Sequence, residues 1–261
     1  MVFVSSGPDH DPLPPRPGRA AAAAGGRPER TRLSREGILD VAMRVLDAEG
    51  LDAVTMRRIA TELGTGPASL YAHVANKDEL LDGLVERVAA TVRFPAPDSD
   101  RWQDQVKEVV RGIHTALSAH RDLAGVNFAR IPLDEGALAV SEGLLAIMLA
   151  GGVPPRDAAL ASDTLPLYAV VHAYEGGLWL QRFGDEEQAQ AFFAELHAYF
   201  AALPPSRFPL MSSMADLLVN EEDTAYERFE FGLDLLVRGL AARAADAPAG
   251  ASTASGTTDP R

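Results

Sequence analysis

The chain has 261 residues, 24 of them Lys or Arg and 37 Asp or Glu, with a formal net charge of −13 and no cysteine. That length supports one large or two modest domains with an ample core, and the lack of cysteine excludes a disulfide framework, a thiolate metal site and a cysteine nucleophile. The first residues lack the cationic start and long apolar stretch of a secretory signal, and no run approaches the length of a membrane span, so a cytoplasmic protein is expected.

Residues 1–30 are rich in Pro, Gly and Ala without hydrophobic periodicity and read as a disordered arm. Arg16, Arg19, Arg27, Arg30, Arg32 and Arg35 face a single nearby acid, Glu29. Such an arm either neutralises DNA phosphates or enters a minor groove, or it is a solvated tail; the sequence leaves both readings open. Charge divides unevenly beyond it. Residues 1–93 carry 12 basic and 13 acidic side chains, whereas residues 94–261 carry 12 and 24. The acid lies in the body, where it aids solubility.

Ser34 caps a helix with Ile38, Ala42, Val45 and Leu46 on one face, ending at Gly50. Thr55 caps a second, in which Met56, Ile59, Ala60 and Leu63 repeat at helical spacing and Val54 staples onto Ile59. Gly64 terminates it, and Pro67 takes the first position of a third helix after Gly66. Leu70 and Val74 point to the core, leaving Ala68, Ser69, Tyr71, Ala72 and His73 outward. A tight Gly turn between two short helices is the geometry of a helix-turn-helix, whose second helix offers small and polar groups to base edges and phosphates. Asn76 and Glu79 form a capping box for the next helix, with Lys77 in its first turn as a phosphate cation. That helix carries Leu80, Leu81, Leu84, Val85, Val88 and Val92, breaks at Phe94, Pro95 and Pro97, and joins the head to the C-terminal body.

TMRRIATELG followed by PASLYAHVANKDELLDGL resembles the DNA-binding domain of the tetracycline-repressor (TetR) family, over about Ser34 to Val92. The resemblance implies a DNA surface of Arg57, Thr65, Pro67, Ala68, Ser69, Tyr71, His73 and Lys77. WQDQVKEVV, SAHRDLAGV, FAALPPSRFPLM and FEFGLDLLVRGLAA are similar to the C-terminal half of the same family, more loosely. The implied fold is all-α: a three-helix helix-turn-helix domain (31–93) joined by a connecting helix to a larger helical ligand-binding and dimerisation domain (98–244), with a disordered tail at 245–261.

Beyond the FPAPDSD linker the pattern stays helical, over Trp102–His120, Leu123–Ala129, Glu135–Ala150, Pro155–Phe183, Glu186–Leu203 and Thr224–Ala244. No alternating stretch suggests a strand. Apolar stripes run along the long helix (Leu167, Val170, Val171, Tyr174, Leu178) and the last one (Tyr226, Phe229, Leu233, Leu236, Val237, Leu240). Paired across a two-fold they give a four-helix dimer interface, with Val170, Tyr174, Phe229, Leu233, Leu236 and Leu240 at its centre; buried within one chain they are simply core. A homodimer also suits a head that must read two half-sites.

Ile113, Asn127, Phe128, Arg130, Met148, Tyr168, His172 and Trp179, with His114 and Glu175 nearby, are the residue types of a mostly apolar pocket, and Pro166, Gly176 and Gly177 would bend the long helix to make room. The family histidine and glutamate that hold the magnesium–tetracycline complex align with Asn127 and approximately Leu180, so the resemblance implies a different lipophilic, aromatic effector. The histidines show no metal-ligand spacing, no cofactor is implied, and no nucleophile elbow or phosphate loop points to an enzyme. The expected function is a ligand-responsive repressor of a palindromic operator. The competing reading is a small-molecule binding or sequestering protein, or a cryptic enzyme, that keeps the head as a cap; outward-pointing Ser69, Tyr71 and His73 distinguish the two.

Overall fold

A computed structural model describes residues 33–120, 122–128, 133–183, 186–219 and 225–246. The arm at 1–30, Arg130 and nearly all of the tail lie outside the described residues.

Every regular element among them is a helix. In the head, α1 (Arg35–Glu49) begins where the Ser34 hydroxyl accepts Gly37 N–H at 3.1 Å, and ends at Gly50, whose φ of 88° is open to glycine. A single 3₁₀ turn (Leu51–Ala53) leads to α2 (Met56–Glu62), capped by Thr55 through Arg58 N–H at 3.1 Å. α3 spans only Pro67–Leu70, shorter than expected, and residues 71–73 continue as turns in which His73 N–H and Val74 N–H both reach the Leu70 carbonyl at 2.9 Å. α4 (Lys77–Ala89) stops just short of Val92, yet its whole apolar stripe from Leu80 to Val92 is buried.

The body comprises α5 (Trp102–Ser118), α6 (Leu123–Phe128), α7 (Glu135–Ala150), α8 (Pro155–Phe183), α9 (Glu186–Ala201), α10 (Pro209–Ser213), α11 (Ala215–Leu218) and α12 (Ala225–Ala245). The boundaries expected for α7 and α8 are those observed. The short α10 and α11, around two prolines and a serine pair, carry too little periodicity to be read from sequence.

α4 packs on α1 in the head and on α5, α6 and α7 in the body, and buried side chains from Ile38 to Val237 form one continuous apolar cluster. Where α7 crosses α4, Gly136 permits contact: a Cβ there would lie 2.8 Å from Ala89 Cβ and 3.0 Å from the Glu86 carbonyl oxygen. The linker is held too. Buried Gln105 donates to Ala96 O at 2.7 Å and accepts Asp98 N–H at 3.0 Å, while the Phe94 ring lies against Gly143.

α12 is bound within its own chain. Arg111 grips Glu230 through two bonds of 2.6 and 2.7 Å, Lys107 meets Asp234 at 2.5 Å, and Arg243 meets Asp157 at 2.7 Å. Phe229 and Leu233 are completely buried against α5 and α8, so they are core and not a dimer surface. Val170 is likewise buried, and Leu236 and Leu240 pack partly on the core. The stripe was real, but its partner is α5 and α8 of the same chain. Of the six expected interface residues only Tyr174 is substantially exposed.

Candidate DNA-reading head and effector cavity

In the head, the adjacent Arg57 and Arg58 have different surroundings. Arg58 is held by Glu49 at 2.7 Å and Glu62 at 2.8 Å, and these hydrogen bonds raise its pKa above the usual guanidinium range. Arg57 is exposed without such partners. Pro67, Ala68, Ser69, Tyr71 and His73 all face solvent, Tyr71 with 53% of its surface exposed, while Leu70 and Val74 anchor the segment from behind. Thr65 is half-buried in the turn, its N–H bonded to Ala60 O at 2.9 Å. Exposed aromatic and hydroxyl groups on a buried apolar backing have no packing role to explain them, which is how a reading surface differs from a structural corner.

The start of α4 is a capping box with one alteration. Asn76 Oδ1 accepts Glu79 N–H at 2.8 Å, but the Glu79 carboxylate reaches back to Ala75 N–H, also at 2.8 Å, one residue earlier than expected. Lys77 Nζ lies 3.4 Å from the Leu51 carbonyl, which occupies one of its three donors. The Leu51 N–H in turn donates to Asp122 Oδ2 at 2.9 Å, and Asp122 also accepts from Gln181 of α8. Asp122 adopts the left-handed conformation, φ 61°, which short polar residues tolerate. A run of contacts thus connects Lys77 to the body. A second tie is His120 on Asp47 at 3.0 Å.

Between α4, α5, α6, α7 and α8 lies a cavity of about 290 Å³. Val85, Val88 and Ala89 of α4, with Val92 just beyond its end, form one wall; Ile113, Ala116 and Leu117 of α5 form another. Asn127 and Phe128 come from α6, Ala137, Val140 and Ser141 from α7, and Ser162, Asp163, Pro166, Leu167 and Val170 from α8. A mostly apolar wall with a few polar groups is the chemistry of a small-molecule site. A more open cleft of about 340 Å³ between head and body is lined by Asp40, Arg44, Asp47, Arg87 and His120 together with Met43, Val88 and Thr91.

Three of the expected ligand residues, Ile113, Asn127 and Phe128, are on the cavity wall. The others described are elsewhere. Met148 is fully buried in the core. Tyr168 donates its hydroxyl to Phe229 O at 2.9 Å and, with His172 and His114, surrounds the Phe229 ring, so these polar rings stabilise the packing of α12. Burial lowers the His114 pKa and raises that of Tyr168. Trp179 stacks on Phe183 and neighbours Phe192 and Phe193 at the α8–α9 corner. Aromatic residues at helical spacing satisfy core and pocket equally well, and only the helix crossings decide. Sequence reasoning missed Ser141, Ser162 and Asp163. The alignment of Pro166 with the cavity was its one available signal.

Residues 38–84 match the family described as bacterial regulatory proteins, tetR family, and residues 94–244 match the tetracyclin repressor-like C-terminal domain. The chain belongs to the tetracycline-repressor family. It is a ligand-responsive, DNA-binding transcriptional regulator of the repressor type. Among similar proteins, the HTH-type transcriptional repressor DrrR1 of Streptomyces coeruleorubidus is 30% identical over 83% of this chain and 81% of its own. The class D tetracycline repressor protein of Escherichia coli is 31% identical over 80% and 89%. The solved structure of ActR from Streptomyces coelicolor in complex with actinorhodin superposes with a TM-score of 0.75 at 38% identity, covering 82% of this regulator and 97% of that chain. BioQ, solved with its double-stranded DNA operator, gives 0.57 at 27% identity, over 81% and 99%. Among the described residues, no helix of the regulator is long and apolar enough to cross a membrane, and no group of three or more His, Asp or Glu could hold a metal ion.

Proposed function

We propose that this regulator is a cytoplasmic homodimer, without catalytic activity of its own, that releases a palindromic operator when a lipophilic aromatic compound fills the cavity walled by α4. The observation that carries this is the double duty of one helix. α4 begins at Lys77, assigned in this reading to a DNA phosphate, and its Val85, Val88 and Ala89 wall the cavity with Val92 just beyond, so a ligand that displaces the wall moves the head that the same helix carries. ActR, similar over most of its length, has been solved with actinorhodin, a precedent that favours a polycyclic effector here. The loss of both magnesium-site residues, with Asn127 on the cavity wall, argues against a metal-bound drug.

The dimer surface of this reading is revised from the sequence expectation. Val171 and Leu178 of α8, with Phe231 and Leu235 of α12, turn their apolar side chains to solvent, while Tyr174 is partly exposed beside Gly125 and Phe128 of α6. A two-fold packing of these helices would bury them and set the two heads for successive major grooves.

Gel shift at fixed salt with the DNA upstream of the chain's own coding sequence tests the head: Tyr71→Ala and Lys77→Ala should each weaken binding about tenfold or more while leaving the melting temperature near wild type. Unchanged affinity in both variants would refute the assignment of the reading surface. For the cavity, addition of the effector should release the DNA. A tenfold loss of operator affinity requires only about 1.4 kcal/mol of coupling.

A further inference from the structure

Asp163 is the single ionisable residue on the cavity wall among the described residues, and neither lysine, arginine nor histidine accompanies it. It makes no hydrogen bond or ion pair there. Other acids of the body with partly covered side chains are matched: Asp157, earlier in the same helix, is held by Arg243, Glu230 by Arg111, and Asp234 by Lys107 and Arg238. Asp163 is exposed, has no such partner and lies on the cavity lining. Beside it, the Ser162 hydroxyl spends its proton on the Ala159 carbonyl at 2.9 Å, so it presents lone pairs to a ligand. This part of the wall offers acceptors, and across it Asn127 and Ser141 add neutral hydrogen-bonding groups.

We propose that the effector is a cationic amphiphile, a flat apolar body that fills the α4–α8 cavity and a protonated amine that sits against Asp163. This rests on the reading of the cavity as the effector site. A carboxylate-bearing ligand of the same shape would meet an unpaired negative charge with no cation to answer it among the described lining residues. The excess of acid in residues 94–261 biases approach in the same direction, because a body of 12 basic and 24 acidic side chains concentrates cations around it. Asp163 is exposed at the cavity mouth, so solvent moderates the pairing, and a discrimination of roughly three- to tenfold is expected instead of the larger effect of a buried pair.

The test uses the full chain at pH 7, fixed ionic strength and no DNA, titrated by fluorescence with three tricyclic probes of similar size: 9-aminoacridine (cation), 9-anthracenemethanol (neutral) and 9-anthracenecarboxylate (anion). The expected order of affinity is cation, neutral, anion. Asp163→Asn should weaken the aminoacridine about three- to tenfold and leave the neutral probe unchanged, and added salt should shrink the cation's advantage in wild type only. Ala116→Phe, with Ser141→Phe as a second block, fills the cavity. Loss of all three probes in a blocked variant that still melts cooperatively, with the charge order insensitive to Asp163→Asn, overturns the charge proposal and keeps the cavity as the site. Unchanged binding in both blocked variants overturns the cavity reading itself.

Discussion

A methyl group added at Gly136 tests whether head and body are in rigid contact. In Gly136→Ala the new carbon would lie 2.8 Å from Ala89 Cβ, 3.0 Å from Glu86 O and 3.3 Å from Ala90 N. Two of those atoms are backbone of α4 and cannot rotate away, so α7 and α4 must separate by several tenths of an ångström. Overpacking of this kind costs about 1–3 kcal/mol, while replacing a helical glycine by alanine returns about 0.5–1 kcal/mol, leaving a net loss near 1–2 kcal/mol. Gly176→Ala in α8 is the matched control, since a Cβ there meets nothing within 4 Å. It should stabilise by about 0.4–1 kcal/mol. The two substitutions should therefore shift the thermal midpoint in opposite directions, by roughly 2–4 °C per kcal/mol. Operator affinity, measured by fluorescence anisotropy without any ligand, should change only in Gly136→Ala, which lies at the α4–α7 crossing behind the cavity wall of Ala89 and Ala137 and outside the proposed reading surface. A Gly136→Ala protein that melts at or above wild type and binds DNA normally would refute a tight α4–α7 contact and the transmission built on it.

Three further outcomes are expected. His114 has its pKa lowered by burial and by the charge of His172, with Glu230 opposing, so the unfolded chain takes up its proton first as pH falls. Its contribution to stability is present above about pH 6.5 and is lost as pH drops toward the depressed folded value; the midpoint should fall between pH 7.5 and 5.5 (about two units) less steeply in His114→Phe, and identical slopes would contradict this. Asp122→Ala removes the acceptor of Leu51 N–H and places alanine at φ 61°, so amide exchange at Leu51 should accelerate, whereas Asp122→Asn keeps both the acceptor and the tolerance and should not. Thr55→Ala deletes the cap of α2 and should cost about 1 kcal/mol in denaturant unfolding, with Thr55→Ser nearly neutral.

The head was legible in the sequence because local chemistry sets it. Ser34, Thr55 and Asn76 each cap the helix they were expected to cap, and Leu70 and Val74 separate the buried side of the turn from the outward side without reference to distant residues. The cavity was only partly legible, since its walls are defined by how five helices cross. Asn127 and Phe128 were found by residue type, but Tyr168 and His172 have the same character and pack on Phe229 instead. An apolar stripe specifies a buried face and not whose surface buries it, which is why Phe229 and Leu233 were equally compatible with a dimer and with the core they occupy.

The pinned linker bears on how such regulators can be recombined. Residues 94–100 resemble a natural place to splice the head of one protein onto the body of another. Yet Gln105 ties Ala96 and Asp98 to α5, and Val85, Val88, Ala89 and Val92, upstream of that splice, are cavity wall. A graft cut in the linker would give the new body a foreign wall, and with it an altered ligand preference. The junction that keeps each part whole falls inside α4, after Leu81 and before Val85, so that a transplanted head brings its own Lys77 and the recipient keeps its own effector.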